Sequence, residues 1–212
     1  MKKLYILLFI SITTFAITSG QFTKFGGGPG TTSGFPYPNN TTHRMDFDKS
    51  GHFYASVKGI VELSLPVHFS PSFTFFVPHI TKLGNSFSSS TFTVSTMMFD
   101  FNGHYVVNSL DRFEFYGLSG IDIMFAWKKE VYKTTGTTPF TETTKFHDNA
   151  LGLNIGAGTY MKITEQIDLY AEVKYVLYGK GKLFFSNYNQ VMFNAGVLIN
   201  LEWLWKNENP GI

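Results

Sequence analysis

The strongest constraint on the fold is an alternation of apolar and polar residues over 191–206. Every odd position there is apolar, from Val191 to Trp205, whereas the even positions include Asn194 and Glu202. Period two sustained over sixteen residues predicts a β-strand with one apolar face. A strand of a soluble domain usually has about five or six residues, and a tilted strand that crosses a bilayer has about nine to eleven. The length therefore favours a strand that spans a membrane.

The N-terminus has the pattern of a secretory signal peptide. Lys2 and Lys3 precede an apolar run over 4–17, and small or polar residues follow as far as Gly20. A charged start, a short apolar segment and a small-residue end are typical of a signal that is removed after export. We predict cleavage after Gly20.

Composition argues against nucleic acid as a partner. Without Lys2 and Lys3, the 17 basic residues of the chain become 15, which balance the 15 acidic ones. A neutral chain has no single-sign field with which to attract a polyanion. The chain has no cysteine, so disulfides cannot stabilise it, and its 23 Phe and 11 Tyr favour strands and membrane interfaces.

Turn residues divide the rest of the chain into eight predicted strands. They lie near 22–35, 53–65, 72–80, 91–106, 112–127, 150–163, 167–178 and 190–205. Tight turns are predicted around Ser70 and Pro71, at 108–111 and at 164–166. Longer connections are predicted at 36–52, at 81–90, from Lys128 to Ala150 and near 178–190. Because outer-membrane barrels have short turns at one rim and long loops at the other, we predict an all-β, eight-stranded antiparallel up-and-down transmembrane barrel over 21–206, with a short tail at 207–212.

Charge is confined to one face of these strands. Odd positions carry no Asp, Glu, Lys or Arg over 53–65, 73–77, 97–105, 113–127, 151–163, 167–177 and 191–205. A Lys or Arg facing lipid near the midplane costs roughly 2–4 kcal/mol, so an uncharged face suits a lipid-facing surface. Eight strands enclose an interior that side chains fill, so the even face predicts a lumen ion-pair network. Its predicted members are Lys58, Glu62, Asp100, His104, Glu114, Asp122, Lys162, Asp168, Glu172, Lys174 and Glu202.

Aromatic residues near the predicted strand ends predict an interfacial girdle on the uncharged face. They are Phe113, Phe115, Phe125, Trp127, Trp203 and Trp205. Gly152, Gly156 and Gly158 alternate with apolar residues and would make room inside a narrow barrel. Alternation alone leaves one other architecture open, a soluble exported barrel that encloses its apolar face around a small apolar ligand.

The last predicted strand also carries a recognisable spacing of residues. Asn194, Gly196, Ile199, Leu201 and Trp203 are similar to the signal read by the barrel assembly machinery, although the chain continues beyond the aromatic residue. The whole mature chain resembles the small eight-stranded outer-membrane proteins of the OmpA and OmpX type, and specifically the outer-membrane beta-barrel domain proteins of Bacteroidetes. The resemblance implies a Gram-negative outer membrane, with its lipid and the assembly machinery as partners.

Motifs for catalysis, metals or cofactors are not found. The six histidines have neither HxH nor HExxH spacing, and the chain has no GxSxG elbow, so we predict no metal, no cofactor and no enzymatic activity. Some barrels of this size are lipid-modifying acyltransferases or deacylases. That alternative would place the chemistry at His43 and His52 in the first loop.

The predicted function is therefore non-enzymatic, with the scaffold sealed by side chains and the external loops carrying the activity. Polar loop residues such as Thr134 to Thr144 would serve adhesion or docking of another envelope protein. By resemblance in size and class, the barrel is expected to suit an accessory role in a secretion assembly.

Overall fold

Strands make up almost all of the chain that the structure describes. The computed structural model describes residues 22–38, 45–48, 51–64, 66–84, 87–134, 139–179 and 188–202. Within them the strands are β1 (Lys24–Thr32), β2 (Phe35–Pro38), β3 (Met45–Asp48), β4 (His52–Ser64), β5 (Val67–Phe76), β6 (His79–Gly84), β7 (Ser88–Leu110), β8 (Phe113–Thr134), β9 (Phe140–Lys162), β10 (Ile167–Tyr178) and β11 (Tyr188–Asn200). In these ranges no helix has the length and apolar character needed to cross a membrane.

Eight of the strands form a closed antiparallel ring. Its order is β1, β4, β5, β7, β8, β9, β10 and β11, and β11 pairs back with β1 from Lys24↔Asn200 to Thr32↔Met192. Each strand lies beside its neighbour in sequence, which is an up-and-down barrel. β6 continues the line of β5 along β7, and β2 pairs with β3 in a separate hairpin. The predicted eight-stranded antiparallel barrel is confirmed.

The two rims of the barrel differ in the length of their connections. At one rim, which we call the turn rim, the connections are 65–66, 111–112 and 163–166. At the other, the loop rim, they are 33–51, which contains β2 and β3, 77–87, which contains β6, and 135–139 and 179–187. The first residue of β1 and the last of β11 both lie at the turn rim, since Lys24 is opposite Asn200.

The predicted turn around Ser70 and Pro71 is wrong. Both residues lie within β5, where Ser70 is fully buried, and the connection to β4 is at 65–66. Proline has no N–H to give to a neighbouring strand. β4 and β5 pair at Lys58↔Ser72 and again at Val61↔Phe69, whereas the stretch between Lys58 and Val61, which lies opposite Pro71, is unpaired. The strand therefore passes through Pro71 at a gap in its hydrogen-bond ladder.

The predicted long loop from Lys128 to Ala150 is also wrong. β8 and β9 pair continuously from Phe113↔Met161 to Thr134↔Phe140, which leaves only 135–139 as the connection. Threonine, valine and tyrosine favour strands, and this stretch is rich in threonine. As a result β7, β8 and β9 have 23, 22 and 23 residues, against 12 in β10.

These three long strands rise beyond the ring at the loop rim. The pairing of β9 with β10 ends at Gly152↔Tyr178, and that of β7 with β5 ends at Met97↔Phe75. Beyond those points β6 and residues 88–96, 126–134 and 140–150 form a four-stranded sheet, which we call the sheet extension.

Odd positions of the barrel point outward and even positions point inward. Phe53, Leu151 and Ile155 are 72%, 62% and 66% exposed, whereas Met98 and Leu198 are fully buried. The alternative of a soluble barrel with the odd face inside is therefore wrong, because the apolar odd positions of the described ring strands point outward.

The last strand is shorter than predicted. β11 ends at Asn200, and residues 201–202 are helical. The Asn200 Oδ1 accepts a hydrogen bond of 3.0 Å from the backbone N–H of Glu202, as an N-cap does, so the side chain helps to end the strand. Glu202 is exposed beyond the barrel, and its predicted place in the lumen is wrong. The predicted signal peptide, at 1–20, and the tail, at 207–212, lie outside the described residues.

Candidate functional site in the barrel interior

Side chains fill the barrel in layers along its axis. Below the loop rim an apolar layer is followed by a layer of charges, then by an aromatic layer, then by a ring of charges at the turn rim. The first layer contains Tyr54, Phe76, Val94, Met98, Met124, Ala126, Ala150, Val176, Tyr178 and Met192. The aromatic layer contains Ile60, Tyr116, Leu118, Tyr160, Tyr170 and Leu198.

The central charged layer holds one lysine between two aspartates, an arrangement that we call the central triad. The Lys174 Nζ lies 2.5 Å from the Asp100 Oδ1 and 3.0 Å from the Asp122 Oδ1. Asp100 and Asp122 are directly opposite each other on β7 and β8, and all three side chains are buried. Two like charges at such a position repel each other, so the shared ammonium group is what makes their proximity tolerable.

Neutral side chains complete the hydrogen bonds of the central triad. The Ser72 hydroxyl donates to the Asp100 Oδ2 at 2.7 Å. The Asn154 amide donates to the Asp122 Oδ2 and to the Asn102 Oδ1, both at 2.8 Å. Buried carboxylates are stable only when hydrogen bonds as well as an opposite charge satisfy their oxygens, and both conditions are met here.

A second ion pair lies beside the triad. The Lys58 Nζ is 2.6 Å from the Glu172 Oε2, which also accepts a hydrogen bond of 3.1 Å from the Tyr116 hydroxyl. The Lys58 ammonium lies over the Tyr170 ring, 4.7 Å from its centroid. Glu172 and Lys174 are two residues apart on β10, so this one strand joins both pairs.

Histidine and tyrosine rings form the stack beneath these charges. The His104 ring stacks on Tyr116 with centroids 4.4 Å apart, and its Nδ1 is hydrogen-bonded to the Tyr160 hydroxyl at 2.6 Å. His68 is directly opposite His104 on β5, and both rings are buried. Neither ring nitrogen of His68, nor the His104 Nε2, makes a hydrogen bond within the described residues.

Four other predicted network members, Glu62, Glu114, Lys162 and Asp168, lie near the turn rim. The Lys24 Nζ is 3.0 Å from Asp168 and 3.9 Å from Glu62, whereas Lys162 is exposed and Glu114 is half-buried. A polar cavity of about 140 Å³ is lined by Lys24, Glu114, Lys162 and Asp168, together with neighbouring residues that do not include Glu62. The Glu62 side chain is 37% exposed, so Glu62 and Lys162 belong to the mouth of the barrel and not to its enclosed network.

The narrow interior depends on glycine where large rings enter it. A Cβ on Gly158 would lie 2.4 Å from the Tyr116 ring, and one on Gly152 would lie 2.9 Å from the Tyr178 ring. Both distances are shorter than real carbon contacts, so these rings occupy the space that the glycines leave.

The residues of the predicted assembly signal lie at the junction of β11 with its neighbours. The Asn194 amide donates to the Pro29 carbonyl at 3.0 Å, and its oxygen accepts from the hydroxyl of Ser56. Gly196 approaches the Gly27 carbonyl so closely that a Cβ would lie 2.2 Å from the oxygen. Ile199 faces outward, Leu201 follows the strand, and Trp203 lies outside the described residues.

The predicted girdle residues that the structure describes all lie on the outer face. Phe113 and Phe115 are at the turn rim, 40% and 44% exposed, and Phe125 stacks near Trp127 at a centroid distance of 6.4 Å. Because β8 continues to Thr134, Trp127 lies at the base of the sheet extension and not at the strand end. Trp203 and Trp205 are beyond the described residues.

The structure describes one of the two histidines that the enzyme alternative would use. His43 lies outside the described residues, and His52 contacts the Val77 carbonyl and packs edge-on against His79 with ring centroids 5.8 Å apart. Within the described ranges, no cluster of three or more His, Asp or Glu is placed to hold a metal ion.

Several interior residues were missed by the sequence analysis. Lys24 was overlooked because the glycines of β1 blur its alternation, and the neutral groups Ser72, Asn154 and Tyr116 because only charges were counted. All of them occupy even positions of their strands. Because even positions point into the barrel, this alternation could have identified them from the sequence.

The strand pairings define the class of this protein. It is an eight-stranded antiparallel barrel whose interior is filled by side chains and holds a buried charge network. No known protein family and no curated protein matches the sequence. Among solved structures the chain is similar to Ail, the attachment invasion locus protein of Yersinia pestis, at 12% identity and a TM-score of 0.45, covering 84% of this chain and 98% of that one. It is also similar to Neisserial surface protein A, at 12% identity and a TM-score of 0.48, covering 84% and 96%.

Proposed function

We propose that this protein is a non-enzymatic barrel of the Gram-negative outer membrane, exported by a cleaved signal peptide, which presents its loop rim and sheet extension to a partner. One observation carries the membrane location. The barrel exposes large apolar side chains, among them Phe53, Phe115, Ile121, Leu153 and Phe193, on its outer face. Soluble proteins rarely expose apolar patches of more than a few hundred Å², whereas a hydrocarbon layer requires such a surface.

The packed interior supports a structural or docking role over transport. Met98, the Asp122–Lys174 pair and Leu198 occupy three different heights along the axis, and each of these residues is at least 95% buried. Eight strands leave an interior only wide enough for side chains, and here the side chains occupy it. The buried charges therefore serve the barrel itself.

The sheet extension supports partner docking. It is the part of the described chain that rises beyond the proposed lipid-facing band, and β-pairing across all four of its strands holds it rigid. A rigid platform loses little conformational entropy when it binds, which favours a docking role. Adhesion to a surface and docking of another envelope protein both fit this arrangement.

Fractionation of the producing cells tests the membrane location. We expect the protein in the outer-membrane fraction, and on a detergent gel we expect a band whose mobility changes after boiling, because closed barrels resist detergent until heated. N-terminal sequencing of the mature protein should begin at Gln21. A water-soluble protein with no heat-dependent shift would contradict the proposal.

A variant with a shortened sheet extension tests the docking role. Residues 129–145 would be replaced by an Asn-Gly turn, which suits a two-residue hairpin. We expect this variant to keep its heat-dependent shift and to lose a partner that is cross-linked to the unmodified protein in intact cells.

Phospholipase and acyltransferase assays with the unmodified protein and with His52→Ala address the enzyme alternative. An activity of the unmodified protein that is lost in His52→Ala would favour that alternative.

A further inference from the structure

The outward face of the sheet extension carries four lysines, which we call the basic face. They are Lys82, Lys129, Lys133 and Lys145, and all four side chains are exposed. The outward positions of the described extension include no Asp or Glu. Its acidic residues, Glu130, Glu142 and Asp148, occupy the opposite parity and face inward.

The strand register brings the lysines together instead of spreading them. Lys129 and Lys145 are directly opposite each other on β8 and β9, with Thr93 of β7 in the same row. Such side chains have Cβ atoms about 4.5–5.5 Å apart, and like charges placed directly opposite each other destabilise a sheet. No ion pair involves either lysine within the described residues, so an external anion is the natural counter-charge for this face.

The position of the basic face indicates the source of that anion. Lys129 follows Trp127 by two residues on the same outward face of β8, which is about 7 Å along the strand. Phe125 lies one more step below, in the apolar outer surface. Tryptophan marks the boundary between hydrocarbon and headgroups, so a cation one step beyond it lies at the depth of the headgroups.

We propose that the basic face binds the phosphate groups of lipid headgroups in the leaflet that surrounds the loop rim. This inference rests on the proposed membrane location and deepens it by naming a lipid contact. Lysine ammonium groups bind phosphate as point charges, and the hydroxyls of Thr93 and Thr143, on the same face, are additional donors. The row at Lys129 and Lys145 is the primary contact because it is nearest to Trp127, and Lys82 and Lys133 extend the site away from the membrane.

Lipid titration of the purified full-length barrel tests this site. The delipidated protein in a zwitterionic detergent is titrated with diphosphoryl lipid A, with phosphatidylcholine and with inorganic pyrophosphate, and bound ligand is counted by native mass spectrometry. Each lysine near a lipid surface contributes about fivefold to affinity, so we expect the double variant Lys129→Gln with Lys145→Gln to bind lipid A about 25-fold more weakly. The charge-retaining variant Lys129→Arg with Lys145→Arg should bind like the unmodified protein.

A second control removes two exposed cations from the opposite rim. The variant Arg112→Gln with Lys162→Gln makes the same change of charge at the turn rim and should keep the lipid A affinity.

Unchanged affinity in the Lys129 and Lys145 glutamine variant, in a protein that still shows its heat-dependent shift, would overturn the site and leave the membrane proposal standing. Pyrophosphate binding as tight as that of lipid A would assign the face to soluble phosphate and overturn the lipid assignment. A protein absent from the outer membrane would overturn both proposals.

Discussion

The barrel and the sheet extension are built from the same strands, yet they place charge in opposite ways. In the barrel, the outer face is apolar and charges such as Lys58 and Lys174 lie inside with a carboxylate partner. In the extension, the outer face carries exposed lysines without ion-pair partners in the described chain, such as Lys129 and Lys145. The change occurs within one strand, β8, a single step after Trp127.

The proposed membrane location explains this difference by the surroundings of the strand and not by the strand itself. With the proposed membrane location, lipid would exclude charge from one side of the barrel and leave the interior as the place for it. The proposal places the outer side of the extension in water, which would remove that restriction. Alternation of polarity fades there, while the backbone pairing continues unchanged. Four predictions test this contrast, in order of expected effect.

Breaking the central triad should have the largest effect. Lys174→Met leaves Asp100 and Asp122 buried without their shared cation, and removing one partner of a buried pair costs about 3–5 kcal/mol. We expect the variant to lose that much free energy of unfolding in a urea titration in lipid, or to fail to form the heat-shifted band. Lys133→Met, on the extension, should change the free energy by less than about 0.5 kcal/mol.

A triple variant separates charge from packing. Adding Asp100→Asn and Asp122→Asn to Lys174→Met removes the uncompensated charges, and much of the stability should return. If the triple variant is as unstable as Lys174→Met alone, uncompensated charge does not explain the loss of stability, and the loss results from altered packing.

A lysine introduced on the outer face should be costly in the barrel and harmless on the extension. Ile121 and Val131 lie ten residues apart on the same face of β8, and Ile121 is midway between the aromatic residues at 113–115 and 125–127. We expect Ile121→Lys to cost about 2–4 kcal/mol in lipid and Val131→Lys less than about 0.5 kcal/mol. Equal costs at both positions would place the boundary of the hydrocarbon layer elsewhere.

The inward face of the extension holds a lysine that should respond to pH. Lys128 is buried over the rings of Phe92 and Phe146, at 4.9 and 5.7 Å from their centroids, and burial lowers its pKa, opposed by Glu130 at 3.9 Å. The unfolded lysine then holds its proton to a higher pH than the folded one, so stability should rise as the pH increases from the lowered folded value to the ordinary lysine value.

Lys128→Met provides the matching measurement. We expect it to raise the protection of amides at 88–96 and 126–134 at pH 7 by less than about 1 kcal/mol, and to remove the increase in protection as the pH approaches the ordinary lysine pKa. Hydrogen exchange corrected for the intrinsic rate at each pH would show both effects. A rise with pH that persists in the variant would assign it to another group.

The smallest expected effect concerns the opposed lysines. Lys145→Gln relieves the repulsion with Lys129 and should stabilise the extension by about 0.2–0.5 kcal/mol in zwitterionic detergent at low salt. In 1 M salt, where the screening length is about 3 Å, the difference should vanish. A loss of stability on substitution would mean that Lys145 already has a stabilising contact in the free protein.

Period two in the sequence was sufficient to predict the barrel and the direction of each face. It failed for the stretch from Lys128 to Ala150, which has charges at both even and odd positions and was therefore mistaken for a loop. With the proposed membrane location, charges on both faces are expected there because the extension lies outside the hydrocarbon layer. Pro71 was mistaken for a turn because the local gap in the β4 ladder that accommodates it depends on a distant strand.

The partners within the lumen were beyond sequence reasoning for a different reason. Parity shows that Lys174, Asp100 and Asp122 face inward, but the lysine is 74 and 52 residues from these partners along the chain. Which of the inward carboxylates it meets depends on how far each strand is shifted along its neighbour when the ring closes. That shift is a property of the whole barrel.

The pairing of β1 with β11 has a consequence for how the molecule forms. Lys24 meets Asn200 and Thr32 meets Met192, so the contacts that close the ring join segments about 160 or more residues apart. Contacts of such sequence separation are slow to form, because a large part of the chain must be ordered first. Until β11 has been synthesised and docked, β1 and β10 each present an unpaired edge open to misassembly with another chain. The protein therefore depends, during its biogenesis, on whatever shields those two edges until its last strand arrives.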